Sequence, residues 1–320
     1  MAVAQHEASS LSLTGLPGIF DPASPKLTSG YLTGWAPYTG VMAEAVQTVS
    51  ITSRVAADNL LAIGTKGHAG YSHKFGGVDV NIDAVMTDNV NVSGAYGYQL
   101  SDFESKLGGN LVLITTNSSV GKKITVSGLY VNSMNFNFSA NANVTTAWTL
   151  VGDDVLYEAW DVPTSGVVGN SSYSCVNPLT WDEIHLLNGC SGVSLTGVQS
   201  ATFSATLNRT EIFQIGQFTP YDRSVTHPYV VTVSINTLAN DVALVDWWDK
   251  FRTSYNPMDA CLGGCGGVTI KVMTQPLSSG AITREFIVAS GLRPTTSTLN
   301  AAVGSNSTVV LNFEGTNLRW

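Results

Sequence analysis

Polar and apolar residues alternate along several segments of the chain. In residues 46–64 (VQTVSITSRVAADNLLAIG), Val49 and Ile51 fall on one side of an extended backbone, whereas Ser50 and Thr52 fall on the other. Because successive side chains of a strand point to opposite faces of a sheet, a period of two residues predicts a half-buried β-strand. The pattern predicts a mainly β protein.

This alternating segment occurs twice in the chain. Residues 198–216 (VQSATFSATLNRTEIFQIG) align with residues 46–64 without a gap. The tripeptide Ser-Gly-Leu at 127–129 recurs at 290–292, and continuing this second alignment without a gap places Trp148 on Leu311. Matched residues lie farther apart along the chain in the second alignment than in the first, which indicates insertions in the second half. The chain is therefore predicted to contain two related halves.

Each half is predicted to contain one short helix between its strands. Ser101 and Glu104 have the spacing of a capping box, and residues 100–107 carry an apolar stripe. In the second half, Leu244 and Trp248 begin a stripe of helical spacing. The predicted fold is two tandem β-sandwich or barrel-forming domains. The predicted division is an N-terminal arm (1–40), a first domain (41–157), a connection (158–195) and a second domain (196–320).

Charged residues are scarce. They make up 12% of the 320 residues, and the formal net charge is -8, without a cluster of Lys and Arg. Tight binding to a nucleic-acid backbone requires several basic contacts with phosphates, so tight electrostatic binding of nucleic acid is not expected. A surface of Ser, Thr, Asn and Gly suits a subunit that packs against copies of itself.

Neither the N-terminal residues nor the cysteines indicate a specific chemical function. Residues 1–10 lack the features of a signal peptide, and no apolar run is long enough for a membrane span, so assembly in the cytoplasm without membrane insertion is expected. The cysteines are Cys175, Cys190, Cys261 and Cys265. Two disulfides, free thiols and a zinc site all remain open, with reduced thiols as the default in cytosol.

Candidate catalytic groups fit no known constellation. The carboxylates of Asp153, Asp154, Glu158 and Asp161 follow a strand, where a solvated acidic turn is favoured over a glycosidase pair. His68 and His73 lie in a glycine-rich loop and are interpreted as solvated or interface histidines. The protein is predicted not to be an enzyme and to have no metal or cofactor.

One stretch of the second half resembles bacteriophage tail tube proteins. Residues 216–233 (GQFTPYDRSVTHPYVVTV) place a Pro-Tyr-x-Arg loop between an Ile-Gly step and a β-branched strand. The strand pair at 129–139 and 144–152 resembles the closing strands of that family. The resemblance covers about residues 40–155 and 196–318. The first half departs from it, because its loop at 64–77 lacks Pro-Tyr-x-Arg.

The resemblance implies a structural role in a virion tail. In that family, six domains close a ring-shaped β-barrel, and stacked rings form the tube that conducts the genome. Two domains per chain then imply a homotrimeric ring with pseudo-sixfold symmetry. The implied partners are further copies, the tape measure, terminator, and baseplate or tip proteins, with DNA as a transient passenger. The candidate inter-subunit residues are Gly64, His68, Tyr71, His73, Gly216, Pro220, Tyr221 and Arg223.

A second hypothesis is a carbohydrate-binding or adhesin-type β-sandwich of a virion or cell surface. Trp247 and Trp248 are the aromatic pair that would supply a sugar-binding platform. The helical spacing of Trp248 with Leu244 and Phe251 instead favours a place for Trp248 in the core.

Overall fold

The computed structural model describes residues 9–13, 41–42, 46–54, 56–61, 68–86, 99–107, 110–117, 120–161, 179–188, 195–239, 268–274, 284–301 and 306–319. The strands, in chain order, are β1 (Ser9–Leu13), β2 (Val41–Met42), β3 (Val46–Ser53), β4 (Ala56–Leu61), β5 (His68–Lys74), β6 (Val78–Val85), β7 (Leu111–Asn117), β8 (Val120–Ser127), β9 (Tyr130–Ser139), β10 (Thr145–Gly152), β11 (Asp154–Asp161), β12 (Ile184–Asn188), β13 (Val198–Thr206), β14 (Arg209–Ile212), β15 (Asp222–Val225), β16 (Val230–Leu238), β17 (Val268–Thr274), β18 (Arg284–Asn300), β19 (Thr308–Gly315) and β20 (Asn317–Arg319). The prediction of a mainly β protein is confirmed.

The predicted helix of the first half is only a four-residue 3-10 helix, Leu100–Phe103. The apolar stripe was correctly identified, because Leu100, Phe103 and Leu107 are all buried. A second 3-10 helix covers Trp181–Glu183. The predicted helix of the second half lies outside the described residues. In the part of the chain that the structure describes, no helix is long and apolar enough to cross a membrane.

Most strands belong to one antiparallel sheet. Its order is β12-β17-β18-β19-β16-β13-β9-β10-β6-β3, with β20 beside β18. A five-stranded sheet has the order β11-β8-β7-β1-β2, and two hairpins, β4–β5 and β14–β15, stand apart. Strand β1 falls in the predicted arm and strand β12 in the predicted connection, so both segments contribute to sheets. The large sheet does not close into a barrel within the described residues.

The sequence repeat is present as two four-stranded units of the large sheet. The order β3-β6-β10-β9 in the first half corresponds to β13-β16-β19-β18 in the second. Thr145 pairs with Asn137, and Thr308 pairs with Asn300, so the alignment that begins at Ser-Gly-Leu holds in both strands. A β-bulge interrupts each pair at the same place, after Thr149 and between Pro294 and Thr296. Because bulges are specific local features, their correspondence shows that the two units share one backbone plan.

The large sheet buries one face, and most side chains of the opposite face are half-buried or exposed. The buried face is apolar and includes Val80, Ile82, Phe136, Trp148, Phe203, Val233, Ile235, Leu311 and Phe313. The opposite face carries Ser, Thr and Asn, which hydrogen-bond across strands, as between Thr202 Oγ1 and Asn137 Oδ1 at 3.2 Å. The alternation seen in the sequence therefore separates an apolar core from a polar sheet surface.

Glycines occupy equivalent positions in both halves. Gly128 has φ 66° and Gly291 has φ 69°, a region that favours glycine. Gly128 joins β8 to β9, and Gly291 lies within β18, between the part that pairs with β17 and the part that pairs with β19. Gly152 and Gly315 occupy equivalent tight positions. A Cβ at Gly152 would lie 2.8 Å from Val126 Cγ1, and one at Gly315 would lie 2.9 Å from Leu292 Cδ2. Close strand packing therefore requires glycine at both places.

Candidate assembly interface

The two units join edge to edge inside the chain. Strand β9 of the first unit pairs antiparallel with β13 of the second, from Ser133 opposite Thr206 to Ser139 opposite Ser200. On the buried face of this junction, the rings of Phe138 and Phe203 meet edge to face with centroids 5.8 Å apart. The junction therefore combines a full strand ladder with an aromatic contact, both of which stabilise strand pairing.

The β14–β15 hairpin of the second unit docks on the first unit through Arg223. This side chain is 2% exposed. Its Nη1 donates to Asp153 Oδ1 at 2.6 Å, and its Nη2 donates to the Gly152 carbonyl at 3.1 Å. Its guanidinium lies 5.4 Å from the Tyr130 ring centroid. Its Nε donates to Glu211 Oε1 of the same hairpin at 3.3 Å. A buried guanidinium needs paired acceptors, and the first unit supplies two of them.

Arg209 makes a second cross-unit anchor beside Arg223. Its Nε donates to the Val131 carbonyl at 2.7 Å, and its Nη1 donates to the Glu104 carbonyl at 2.8 Å. Its Nη2 donates to the carbonyl of Phe103. The guanidinium carbon lies 5.0 Å from the Tyr130 ring centroid. No sequence motif predicts the role of Arg209, although the repeat aligns Arg209 with Ala57 and so shows a difference between the halves.

The close packing of these groups perturbs two pKa values. Burial, and to a smaller extent the charge of Arg223, lowers the pKa of Arg209 to about 10. Burial, followed by the Asp222 carboxylate, raises the pKa of the Tyr130 phenol above its ordinary value. The Tyr130 hydroxyl donates to Asp222 Oδ1 at 3.2 Å. The cluster is therefore partly desolvated, which strengthens its polar interactions.

The tip of the same hairpin presents apolar side chains to solvent. Gly216, with φ 89°, lies in the turn, and Pro220 is buried, whereas Tyr221 is exposed. Phe213, Ile215 and Phe218 are also exposed, although the rings of Phe213 and Phe218 pack edge to face on Phe75. A cluster of exposed large apolar residues is typical of a contact surface.

The equivalent hairpin of the first unit is β4–β5. His68, Tyr71 and His73 lie on β5, opposite Leu61, Asn59 and Ala57 respectively. Tyr71 is 64% exposed. Gly64 lies outside the described residues. The structure thus places the predicted inter-subunit residues that it describes on two equivalent hairpins, and it assigns Arg223 to the contact between units of the same chain.

Two unpaired strand edges of the large sheet match each other. Among the described residues, no strand pairs with β3 on the side away from β6, or with residues 293–300 on the side away from β19. By the repeat, these edges correspond to β13 and β9, which pair inside the chain. Leu299 on the second edge is 66% exposed, whereas its equivalent Phe136 is 1% exposed. Phe136 packs against the Trp148 ring and lies on a strand that pairs with β13, whereas the strand of Leu299 has no such neighbour on this side among the described residues.

Two of the four candidate catalytic carboxylates form ion pairs with different basic side chains. Asp153 binds Arg223 and also accepts a hydrogen bond from Lys106 Nζ at 3.2 Å. Glu158 pairs with Lys123 at 2.8 Å. The described residues contain no group of three metal-ligating side chains. The four cysteines and the Trp247–Trp248 pair lie outside the described residues.

A cleft of about 400 Å³ lies at the end of β13. Its lining includes the exposed Trp181, with Asp182, His185 and Gln199. An exposed aromatic ring beside hydrogen-bonding groups is the feature that a sugar-binding site would use.

Comparison with known proteins adds no identification. No protein-family model matches the sequence, and a search of curated proteins finds no significant similarity.

Proposed function

We propose that the protein is a self-assembling structural subunit of a tail tube. The observation that carries the proposal is the matched pair of sheet edges. Inside the chain, β9 pairs with β13. The second unit presents the equivalent of β9 at residues 293–300, and the first unit presents the equivalent of β13 at β3. One copy therefore offers the edge that the next copy needs.

The repeat also gives the register of the pairing between copies. Phe136 lies opposite Phe203 inside the chain. In the two alignments of the repeat, Leu299 is the equivalent of Phe136, and Ile51 is the equivalent of Phe203. Leu299 of one copy is therefore expected to face Ile51 of the next. Pairing there would cover the exposed Leu299 and remove two strand edges that otherwise invite uncontrolled aggregation.

Repeated head-to-tail addition of copies generates either a closed ring or an open helix. Three copies would contribute roughly 24 strands, and barrels of this size enclose a channel. The polar sheet face would line the bore, because the apolar face is covered within each copy. Ser, Thr and Asn, together with Asp79 and Asp83 on β6, give this face few cations to hold a passing nucleic acid. The proposed location is a virion tail assembled in the host cytoplasm.

Electron microscopy and solution mass test the assembly directly. At high protein concentration, hollow rings or tubes with a mass of three chains per ring are expected. A mass of six chains per ring would refute the trimer, and a compact monomer at every concentration would refute the tube.

Disulfide cross-linking tests the register. The variant Ile51→Cys/Leu299→Cys is expected to form covalent trimers under mild oxidation, seen on a non-reducing gel. The matched control, Ser50→Cys/Leu299→Cys, places one thiol on the opposite sheet face and is expected to cross-link far less. Equal cross-linking by both variants would contradict the register.

A carbohydrate-binding module is the second candidate function, favoured by the exposed Trp181 in its cleft. Calorimetric titration with a panel of oligosaccharides tests it. Binding that Trp181→Ala abolishes, by a protein that stays monomeric, would replace the tube proposal.

A further inference from the structure

The repeat assigns a definite counterpart to each residue of the Arg223 site. The hairpins β4–β5 and β14–β15 share one register: Asn59 faces Tyr71, and Glu211 faces Arg223. The alignment of 46–64 with 198–216, continued without a gap, therefore places Tyr71 at the position of Arg223. On the sheet side, Val151 faces Tyr130, and Glu314 faces Arg293, which makes Arg293 the equivalent of Tyr130.

The same pairings show that the cation and the aromatic ring exchange places between the two halves. Inside the chain, the hairpin carries Arg223 and the sheet carries Tyr130. At the position where a second copy would dock, the hairpin of one copy carries Tyr71 and the sheet of the next carries Arg293. Either arrangement gives one guanidinium and one phenol, the pair that forms a cation–π contact.

Among the described residues, nothing covers the receiving site on the second unit. Arg293 is exposed, and a Cβ at Gly291 would meet no described atom within 4 Å. Gly291 and Gly315 correspond to Gly128 and Gly152, which flank the docked Arg223 in the first unit. In the described part of the chain, the second unit therefore presents the backbone of the Arg223 site without a hairpin on it.

We propose that Tyr71 of one copy stacks on the Arg293 guanidinium of the next copy when β3 pairs with residues 293–300. This inference rests on the proposed self-assembly and deepens it, because it names a side-chain contact that fixes which hairpin docks on which unit. The partner is a second copy of this chain.

The different placement of the cation and the aromatic ring in the two halves also disfavours docking of a hairpin on the wrong unit. A β14–β15 hairpin placed on the second unit would bring Arg223 against Arg293, two cations without the Asp153 carboxylate, whose equivalent is Thr316. A β4–β5 hairpin placed on the first unit would leave Asp153 without the buried cation that it binds. Like charges and unpaired buried charges are the usual elements of specificity at interfaces.

Exchanging the two side chains tests the contact. Tyr71→Arg places a cation against Arg293 and is expected to raise the concentration needed for half assembly by about tenfold, as measured by sedimentation velocity. Arg293→Tyr is expected to have a similar effect. The double variant Tyr71→Arg/Arg293→Tyr recreates the arrangement found inside the chain, and its assembly is expected to return to within about threefold of the wild type.

A matched control separates surface charge from the specific contact. Tyr157 is a comparably exposed tyrosine on β11, away from the matched edges, and Tyr157→Arg is expected to leave assembly unchanged. Thermal unfolding of the monomer checks that each variant folds. If Tyr71→Arg assembles like the wild type, or the double variant is no better than the worse single variant, the Tyr71–Arg293 contact is refuted while the edge pairing stands. If the wild type does not assemble at all, both proposals fall.

Discussion

The Arg223 anchor predicts a large loss of stability when the guanidinium is removed. In Arg223→Met, the largely buried Asp153 carboxylate loses its partner at 2.6 Å, and the Gly152 carbonyl loses its donor at 3.1 Å. Breaking one side of a buried ion pair costs about 3–5 kcal/mol. Lys106 lies 3.2 Å from Asp153 and compensates in part, so we expect the lower end, about 3 kcal/mol.

Urea unfolding followed by tryptophan fluorescence measures this loss, at a protein concentration at which the chain is monomeric. Arg54→Met is the matched control, because Arg54 also pairs with an aspartate, Asp79 at 2.5 Å, but is 60% exposed. An exposed pair contributes about 0–1 kcal/mol. The two variants remove the same chemical group and differ in its burial.

A double-mutant cycle identifies the partner. Asp153→Asn removes the charge that Arg223 neutralises, so the double variant Arg223→Met/Asp153→Asn is expected to lose less than the sum of the single variants, by about 1.5 kcal/mol or more. Additive losses, or an Arg223→Met loss no larger than that of Arg54→Met, would refute the account of Arg223 as the anchor between the two units.

Three further predictions follow from buried groups. Thr237→Val is expected to raise the free energy of unfolding by about 1 kcal/mol in urea titration, because the fully buried hydroxyl has no hydrogen-bond partner among the described residues; a loss of stability would contradict this. Gly152→Ala is expected to lower it by about 1–3 kcal/mol in the same assay, because the added Cβ would lie 2.8 Å from Val126 Cγ1; a neutral effect would show that the strands can separate. The raised pKa of Tyr130 means that the folded state keeps its phenol proton longer than the unfolded state, so stability falls as pH rises above about 10. Absorbance at alkaline pH should show one late-titrating phenol that Tyr130→Phe removes, and an unchanged titration curve would exclude the assignment.

The strands could be predicted from the sequence because their signal is local. Alternation in β3 and β13, and the glycine steps shared by both halves, depend only on neighbouring residues. The predicted helix of the first half is shorter in the structure than its apolar stripe, because Leu100–Phe103 forms only one 3-10 turn. Gly108 and Gly109 follow the stripe and disfavour a longer helix, and a segment of this length is too short to form a stable α-helix by itself.

The contact between the units could not be predicted in the same way. Arg223 was recognised as part of a loop motif, but its burial depends on Asp153 and Gly152, which are distant from it in the chain. Arg209 carries no motif, and its acceptors are backbone carbonyls, which any residue type can supply. The hairpin contact is therefore a property of the three-dimensional arrangement that the repeat alone does not encode.

In the proposed assembly, the covalent link between the two units would impose a parity rule. Each chain would add two repeat units at once, because the β9–β13 junction lies within the chain. A closed ring of such chains would hold an even number of units, so connectivity alone would rule out rings with an odd number of units. Half of the junctions of that ring would form during folding of the chain, independently of protein concentration. Errors in ring size would then be limited to the addition or omission of a whole chain.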